Sequence, residues 1–119
     1  MLLSHMTIFQ TDLDQRFHAL ADPTRRAIVE RLLLGALPVS ILAEPFGMAL
    51  PTVLAHLKVL EASGLIRSHK QGRVRTCEVD AVALRGLEHW FAAQVRRWEA
   101  QFDRLDALAL RLAKEKGDG

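Results

Sequence analysis

The sequence predicts a mainly α-helical domain with one small β-hairpin, and three observations lead to this. Apolar residues recur at helical spacing, and glycine or proline separates the periodic segments. Two short segments with β-branched residues flank a glycine, which is typical of a hairpin. The 119 residues suffice for one domain with a buried core, which we place at residues 7–116. Half of the residues are hydrophobic and a quarter are charged, the balance of a globular protein.

The first two helices follow from spacing and from one capping signal. Four apolar residues four, four and three positions apart predict a helix over about 7–21: Phe9, Leu13, Phe17 and Leu20. Asp22 before Pro23 predicts the start of a second helix, because Asp caps a helix and proline tolerates its first position. We expect this helix to run to about Leu34, before Gly35, with its inner face on Ile28, Leu32 and Leu33.

A short helix and a longer one predict a helix-turn-helix over about 39–63. The short helix covers Val39 to about Glu44, where Pro45 and Gly47 end it. The longer helix covers about 50–63, with Gly64 placed to end it. Its inner residues are predicted to be Leu50, Val53, Leu57 and Leu60. Two helices joined by a tight glycine-containing turn are typical of this unit.

A basic hairpin follows, over about 65–79. Two β-branched flanks, 65–69 and 74–79, surround Gly72, which supplies the positive φ that a tight turn needs. Four basic residues stand against one acidic residue here, a net charge of +3. Such local charge suits phosphate contacts.

One long helix is predicted over about 81–116, with apolar residues close to a heptad seam. A helix of this length exceeds what a domain this small needs on one edge. We therefore expect the protein to be a homodimer that is held together by this helix. The predicted interface comprises Phe9, Leu13, Leu87, Phe91, Val95, Trp98, Phe102 and Leu105.

The order helix-turn-helix then basic hairpin predicts a winged helix-turn-helix that binds double-stranded DNA. Its second helix would enter the major groove, and the wing would contact the neighbouring backbone. The predicted DNA-contacting residues are Pro51, Thr52, Ala55, His56, Lys58, Arg67, Lys70, Arg73 and Arg75.

Two stretches, FHALADPTRRAIVERLLLG (17–35) and LAEPFGMALPTVLAHLKVLEASGLIRSHKQGRVRTCEVD (42–80), resemble the arsenic-repressor (ArsR) family of winged-helix regulators. The resemblance covers about residues 13–80. The last helix, with HWF and RRWEAQFDRLDALA, resembles a metal-independent branch in which this helix builds the dimer. The resemblance implies a cytoplasmic, homodimeric transcriptional repressor.

The sequence departs from the family pattern on the recognition helix. Members commonly carry serine at its start and serine followed by a basic or polar residue in its middle, where this chain has Ala49, Leu54 and Ala55. Neither Leu54 nor Ala55 can hydrogen-bond a base edge, although either can touch a thymine methyl group. Two alternatives therefore stay open: a dimeric interaction module with weakened DNA readout, and a sensor gated by a small molecule between the terminal helices.

Metal, redox and enzyme chemistry are not expected. The segment PVSILAEPFG (38–47), where family sensors carry cysteines, has neither Cys nor His, and His89 lacks a partner at ligand spacing. Cys77 is the single cysteine; we interpret it as a half-buried strand residue and leave a redox role open. No catalytic constellation and no cofactor motif stand out. Met1–Phe9 lacks the basic region of a signal peptide, and no apolar run approaches the roughly 20 residues of a membrane span.

Overall fold

The computed structural model describes residues 12–117. The chain divides into two compact units, Met1–Leu84 and Arg85–Gly119. Among the described residues, helix α1 covers 12–20; Phe9 of the predicted interface lies outside the described residues. The limits of the domain, residues 7–116, stay a prediction.

The first unit holds the elements in the predicted order. They are α2 (Pro23–Leu32), β1 (Leu37–Pro38), α3 (Val39–Ala43), a 3₁₀ turn (Glu44–Phe46), α4 (Leu50–Ala62), β2 (Ile66–Gln71) and β3 (Val74–Val79). The last helix, α5, covers Ala81–Gly117 and so begins in the first unit and continues through the second. The fold is therefore mainly α-helical, with a small antiparallel sheet and a long C-terminal helix.

Strand β1 was not predicted. It adds a third strand to the hairpin, in the order β1-β3-β2, with Leu37 opposite Cys77 and Pro38 opposite Thr76. Two residues are too few for a periodic signal, and Pro38 lacks the N–H that a central strand needs. Both features suit an edge strand.

The core of the first unit forms where α2 packs on α4 and where α2, α3 and α4 pack on the sheet. The contacting pairs include α2 with α4, α2 with β3, α3 with β3, and α4 with β2. The fully buried large side chains are Ile28, Leu42, Val53, Leu60, Leu65, Ile66 and Cys77. Burial of such apolar area is the dominant favourable contribution to folding.

Two residues predicted to face inward do not. Leu33 and Leu50 are exposed. Val29, which was not predicted to face inward, is buried. Leu33 follows the last residue of α2, and Leu50 begins α4. Helical spacing fixes the direction of a side chain, whereas at a helix end only the neighbouring elements decide whether anything covers it.

Candidate nucleic-acid interface

The predicted helix-turn-helix is present, and α4 is its second helix. The chain bends by 112° between Val39–Phe46 and Leu50–Ala62. Gly47 in the turn has φ +61°, a backbone conformation that favours glycine. Ala49 caps α4 without a side-chain hydrogen bond, as its methyl group dictates.

Helix α4 has a buried face and an exposed face. Val53, Leu57 and Leu60 are buried. Of the predicted DNA-contacting residues, Pro51, Thr52, Ala55 and Lys58 are exposed. Thr52, Ala55 and Lys58 are three residues apart and Pro51 is four residues before Ala55, so the four form one continuous surface along the helix.

His56 is the exception among the predicted contacts on α4. Its side chain is 20% exposed, and its Nδ1 lies 3.9 Å from Asp22 Oδ2 and 3.5 Å from Arg25 Nη1. The ring therefore packs against the start of α2. Sequence spacing alone could not reveal this contact, because Arg25 and His56 are 31 residues apart.

Arg25 and Arg26 close the C-terminal end of α1. Arg25 donates from Nε to the carbonyl of Ala19 (2.7 Å) and from Nη2 to that of His18 (3.1 Å). Arg26 donates to the carbonyl of Leu20 (2.8 Å). A helix end leaves its last carbonyls without partners, and these guanidinium groups supply them.

Asp22 caps α2 as predicted. Its side chain accepts a hydrogen bond from the backbone N–H of Arg25 at 3.0 Å. That hydrogen bond lowers the pKa of Asp22 below its ordinary 3.8, with help from the nearby charges of His56 and Arg25 and against partial desolvation. Asp22 and Arg25 thus tie α1, α2 and α4 together.

Ser63 joins the end of α4 to the wing. The side chain is buried; its hydroxyl donates to the carbonyl of Leu60 (2.7 Å) and accepts from the N–H of Leu65 (3.2 Å). Arg16 Nε of α1 donates to the carbonyl of Ser63 (3.2 Å). Gly64, at φ +81°, then turns the chain into β2. The position of the wing relative to α4 is therefore fixed by hydrogen bonds.

The wing is the hairpin of β2 and β3, which turns at Gly72 (φ +64°). Lys70 lies opposite Arg75, and Arg73 occupies the turn; all three are exposed. Like charges directly opposite each other repel, and here no acidic residue stands in the turn between them. The tip of the wing therefore favours an anion.

Arg67 differs from the other basic residues of the wing. Its guanidinium lies 3.4 Å from Glu78 Oε1 and 3.9 Å from Asp80 Oδ2. Two carboxylates already offset its charge, so it has less to offer a phosphate than Lys70, Arg73 or Arg75 has. The sequence shows Glu78 as the one acidic residue of the hairpin, but it does not reveal which basic residue it pairs with.

The seam of α5 is half exposed along the second unit. Seven apolar residues spaced three or four apart are 47–61% exposed, namely Phe91, Val95, Trp98, Phe102, Leu105, Leu108 and Leu112. The Trp98 and Phe102 rings meet edge to face, with centroids 4.7 Å apart. Of the other predicted interface residues, Leu13 is half-buried, and Leu87, at 4% exposure, has almost no surface left for a second copy.

Cys77 is fully buried on β3, not half-buried as the sequence suggested. Burial raises the pKa of its thiol, and the charge of Glu61 acts in the same direction. A protonated, covered thiol is a poor nucleophile. Within residues 12–117, no three His, Cys, Asp or Glu side chains lie close enough together to hold a metal ion.

Comparison with known proteins shows the family. A family model described as a helix-turn-helix domain matches residues 20–69. The HTH-type transcriptional regulator Rv2034 of Mycobacterium tuberculosis is 43% identical over 74 residues, which are 62% of this chain and 69% of that protein. The crystal structure of an ArsR family transcriptional regulator is 51% identical, with a TM-score of 0.72, over 76% of this chain and 93% of the other. This chain belongs to the ArsR family.

A second relative of this ArsR family member is the transcriptional repressor SdpR of Bacillus subtilis. It is 30% identical over 62% of this chain and 82% of its own length. The resemblance read from the sequence is thereby confirmed, and the fold is that of winged-helix transcriptional regulators, not of enzymes. Membership of the metal-independent branch stays a prediction.

The helices of this ArsR family member can also be compared with membrane-spanning helices in length and apolar character. Among the described residues, no single helix has the length and apolar character to cross a bilayer. One bent pair, Val39–Phe46 with Leu50–Ala62, meets those criteria by length and composition alone. These two segments are the helix-turn-helix described above.

Proposed function

We propose that this ArsR family regulator binds a pseudo-palindromic operator in double-stranded DNA as a homodimer and represses transcription without sensing a metal. Each copy would present α4 to the major groove, with the two helices about 34 Å apart on one face of the duplex.

The exposed face of α4 beside the basic wing supports this proposal most strongly. The helix offers Thr52 and Lys58 on the surface that projects away from the core. Lys70, Arg73 and Arg75 crowd positive charge at the wing tip. Phosphate contacts from such residues position a protein on DNA, and the helix reads the bases.

The half-exposed seam of α5 supports self-association. Seven large apolar side chains along one stripe of a helix are an unusual amount of apolar surface for a small monomer to leave in water. A second copy of the same helix would cover it with matching knobs and holes. The heptad-like spacing favours this occupant over a globular partner.

Three further points complete the proposal. SdpR, 30% identical, is named a transcriptional repressor, which supports repression here. The lone cysteine is buried, and the segment of residues 38–47 has neither Cys nor His, which supports a regulator without a metal site. A regulator acts where the DNA is, so we expect it in the cytoplasm.

The test is salt-dependent binding with matched variants. Replacing Lys70, Arg73 or Arg75 with alanine should weaken binding to every duplex and reduce the log–log salt slope by about 1 for each phosphate that is no longer neutralised. Arg67→Ala is the control on the same hairpin: it should change the slope less, because Glu78 and Asp80 already offset its charge.

The same assay includes the outcome that would overturn the proposal. A duplex is first enriched from a random pool. At one salt concentration, the affinity of the wild-type protein for this duplex should exceed its affinity for random DNA by a factor on the order of a thousand or more. A ratio near one across many sequences would instead favour the dimeric interaction module. Folding of each variant is checked by its thermal melt.

A further inference from the structure

The exposed face of α4 is short of hydrogen-bonding groups. The structure describes this helix in full, and its exposed residues are Leu50, Pro51, Thr52, Leu54, Ala55, Lys58 and Ala62. Among these seven, only Thr52 and Lys58 carry polar side chains. His56 is not a ready substitute, because its Nδ1 faces Asp22 and Arg25.

The apolar residues lie on the turns from which recognition helices generally contact base edges. Recognition helices contact base edges from their N-terminal residues. On α4 those first turns carry Pro51, Leu54 and Ala55; Leu54 is 37% exposed although it lies on a helix packed into the core. Leu54 is therefore accessible on the same turns of α4 as Pro51 and Ala55, where an apolar group of the DNA can cover it.

The major groove offers one apolar group that distinguishes bases, the C5 methyl group of thymine. Guanine and adenine present acceptors and donors there, which Leu54 and Ala55 cannot pair with. Placing either residue over a guanine or cytosine edge would cover polar groups without replacing their hydrogen bonds to water. The arrangement therefore favours thymine and disfavours G·C pairs at the positions that these residues cover.

We infer that α4 selects its DNA through thymine methyl groups, which Leu54 and Ala55 contact in the major groove. This inference rests on the proposed function and specifies its readout. Thr52 adds a hydrogen bond at one neighbouring base, and the wing supplies affinity without sequence preference. The preferred half-site is consequently rich in thymine at the centre of the α4 footprint.

The experiment begins with a duplex enriched from a random pool with full-length protein. Each thymine is then replaced in turn with deoxyuridine, which pairs identically and lacks only the methyl group. Binding should weaken about fourfold for each contacted methyl group removed, and be unaffected at the other thymines. At a contacted position, a 5-methylcytosine·guanine pair should also bind more tightly than the unmethylated pair.

Two variants assign the effect to α4. Leu54 is exposed, so Leu54→Asn should fold normally. At the base pair that Leu54 contacts, this variant should bind the thymine duplex and the uracil duplex with nearly equal affinity. Leu34→Asn is the control: it removes a leucine that is 92% exposed and lies outside the helix-turn-helix, and it should keep the wild-type ratio. Both variants should retain the wild-type salt slope.

The outcomes separate this inference from the proposed function. If no duplex is enriched over random DNA, the proposed function fails and the inference with it. If a specific duplex is bound but tolerates uracil at every position, the inference alone is wrong. An unchanged ratio in Leu54→Asn also overturns the inference, because the methyl contact would then belong to other residues.

Discussion

Among the individual residues, polar side chains at helix ends link neighbouring segments of the first unit. Arg25 binds two carbonyls of α1 and approaches His56 of α4, while Asp22 caps α2. Ser63 satisfies one carbonyl and one N–H where α4 gives way to the wing. Such groups matter because a buried polar atom left without a partner costs more than a hydrogen bond gains.

Ser63→Ala should lower the free energy of unfolding by about 1–3 kcal/mol, because the N–H of Leu65 would lose its partner in a buried setting. The denaturant midpoint measures the change. Ser40→Ala, at an exposed serine of α3, should leave the midpoint nearly unchanged. Equal midpoints for the two variants would mean that Leu65 finds another acceptor.

Acid should remove the contribution of the Asp22 cap. Because folding lowers the pKa of Asp22, its stabilisation is complete above 3.8 and is lost as the pH falls through the lower folded value. Asp22→Asn keeps an oxygen acceptor for Arg25 but does not titrate. The variant should be less stable than wild type at neutral pH and approach it below pH 3.8. A constant difference across that range would show that the charge of Asp22 contributes nothing.

Among the helices, α5 differs from the others in what it leaves uncovered. It has 37 residues, about 55 Å at 1.5 Å per residue. Asp80 caps its start, accepting hydrogen bonds from Val82 and Ala83. Beyond Leu87 its apolar stripe is half exposed, and the stripe is therefore the feature on which the proposed homodimer depends.

Trp98→Asp and Phe102→Asp should each shift the protein from dimer to monomer in analytical ultracentrifugation. A carboxylate at the centre of an apolar seam would have to be desolvated without a partner. Gln101→Asp places the same charge on an exposed position beside the seam and should leave the dimer intact. A Trp98→Asp protein that stays a well-folded dimer would assign dimerisation to another surface.

For the molecule as a whole, the proposed function requires DNA contacts and self-association but does not require a metal ion. The chain has one cysteine, and burial keeps it from acting as a ready ligand. His89 is exposed on α5 and belongs to no group of three potential ligands within the described residues. Any regulation by a small molecule would need chemistry other than a thiolate cluster.

Adding zinc, cadmium or arsenite should leave both the melting temperature and the affinity for the enriched duplex unchanged. A ligand that binds the native state raises its melting temperature, so the melt reports binding directly. Chelator-treated protein is the reference. Tight stoichiometric binding that disappears in His89→Ala or Cys77→Ala would contradict the proposal of a regulator without a metal site.

The order and nature of the main elements could be predicted from the sequence, because they depend on local chemistry. Apolar spacing placed α2, α4 and α5; Asp22 and Pro23 placed a helix start; Gly72 placed a hairpin turn. Local chemistry also placed the exposed face of α4 and the basic wing, since a helix or hairpin fixes which neighbours share a face.

Which of those residues are free to act depends instead on tertiary contacts. His56 is drawn toward Asp22 and Arg25, Arg67 is offset by Glu78 and Asp80, and Leu87 is buried whereas Phe91 is not. The short strand β1 likewise exists because β3 lies beside it. Availability depends on what other segments bring alongside a residue, and those segments come from distant positions in the chain. Local sequence patterns do not show which distant segments will lie beside a given residue.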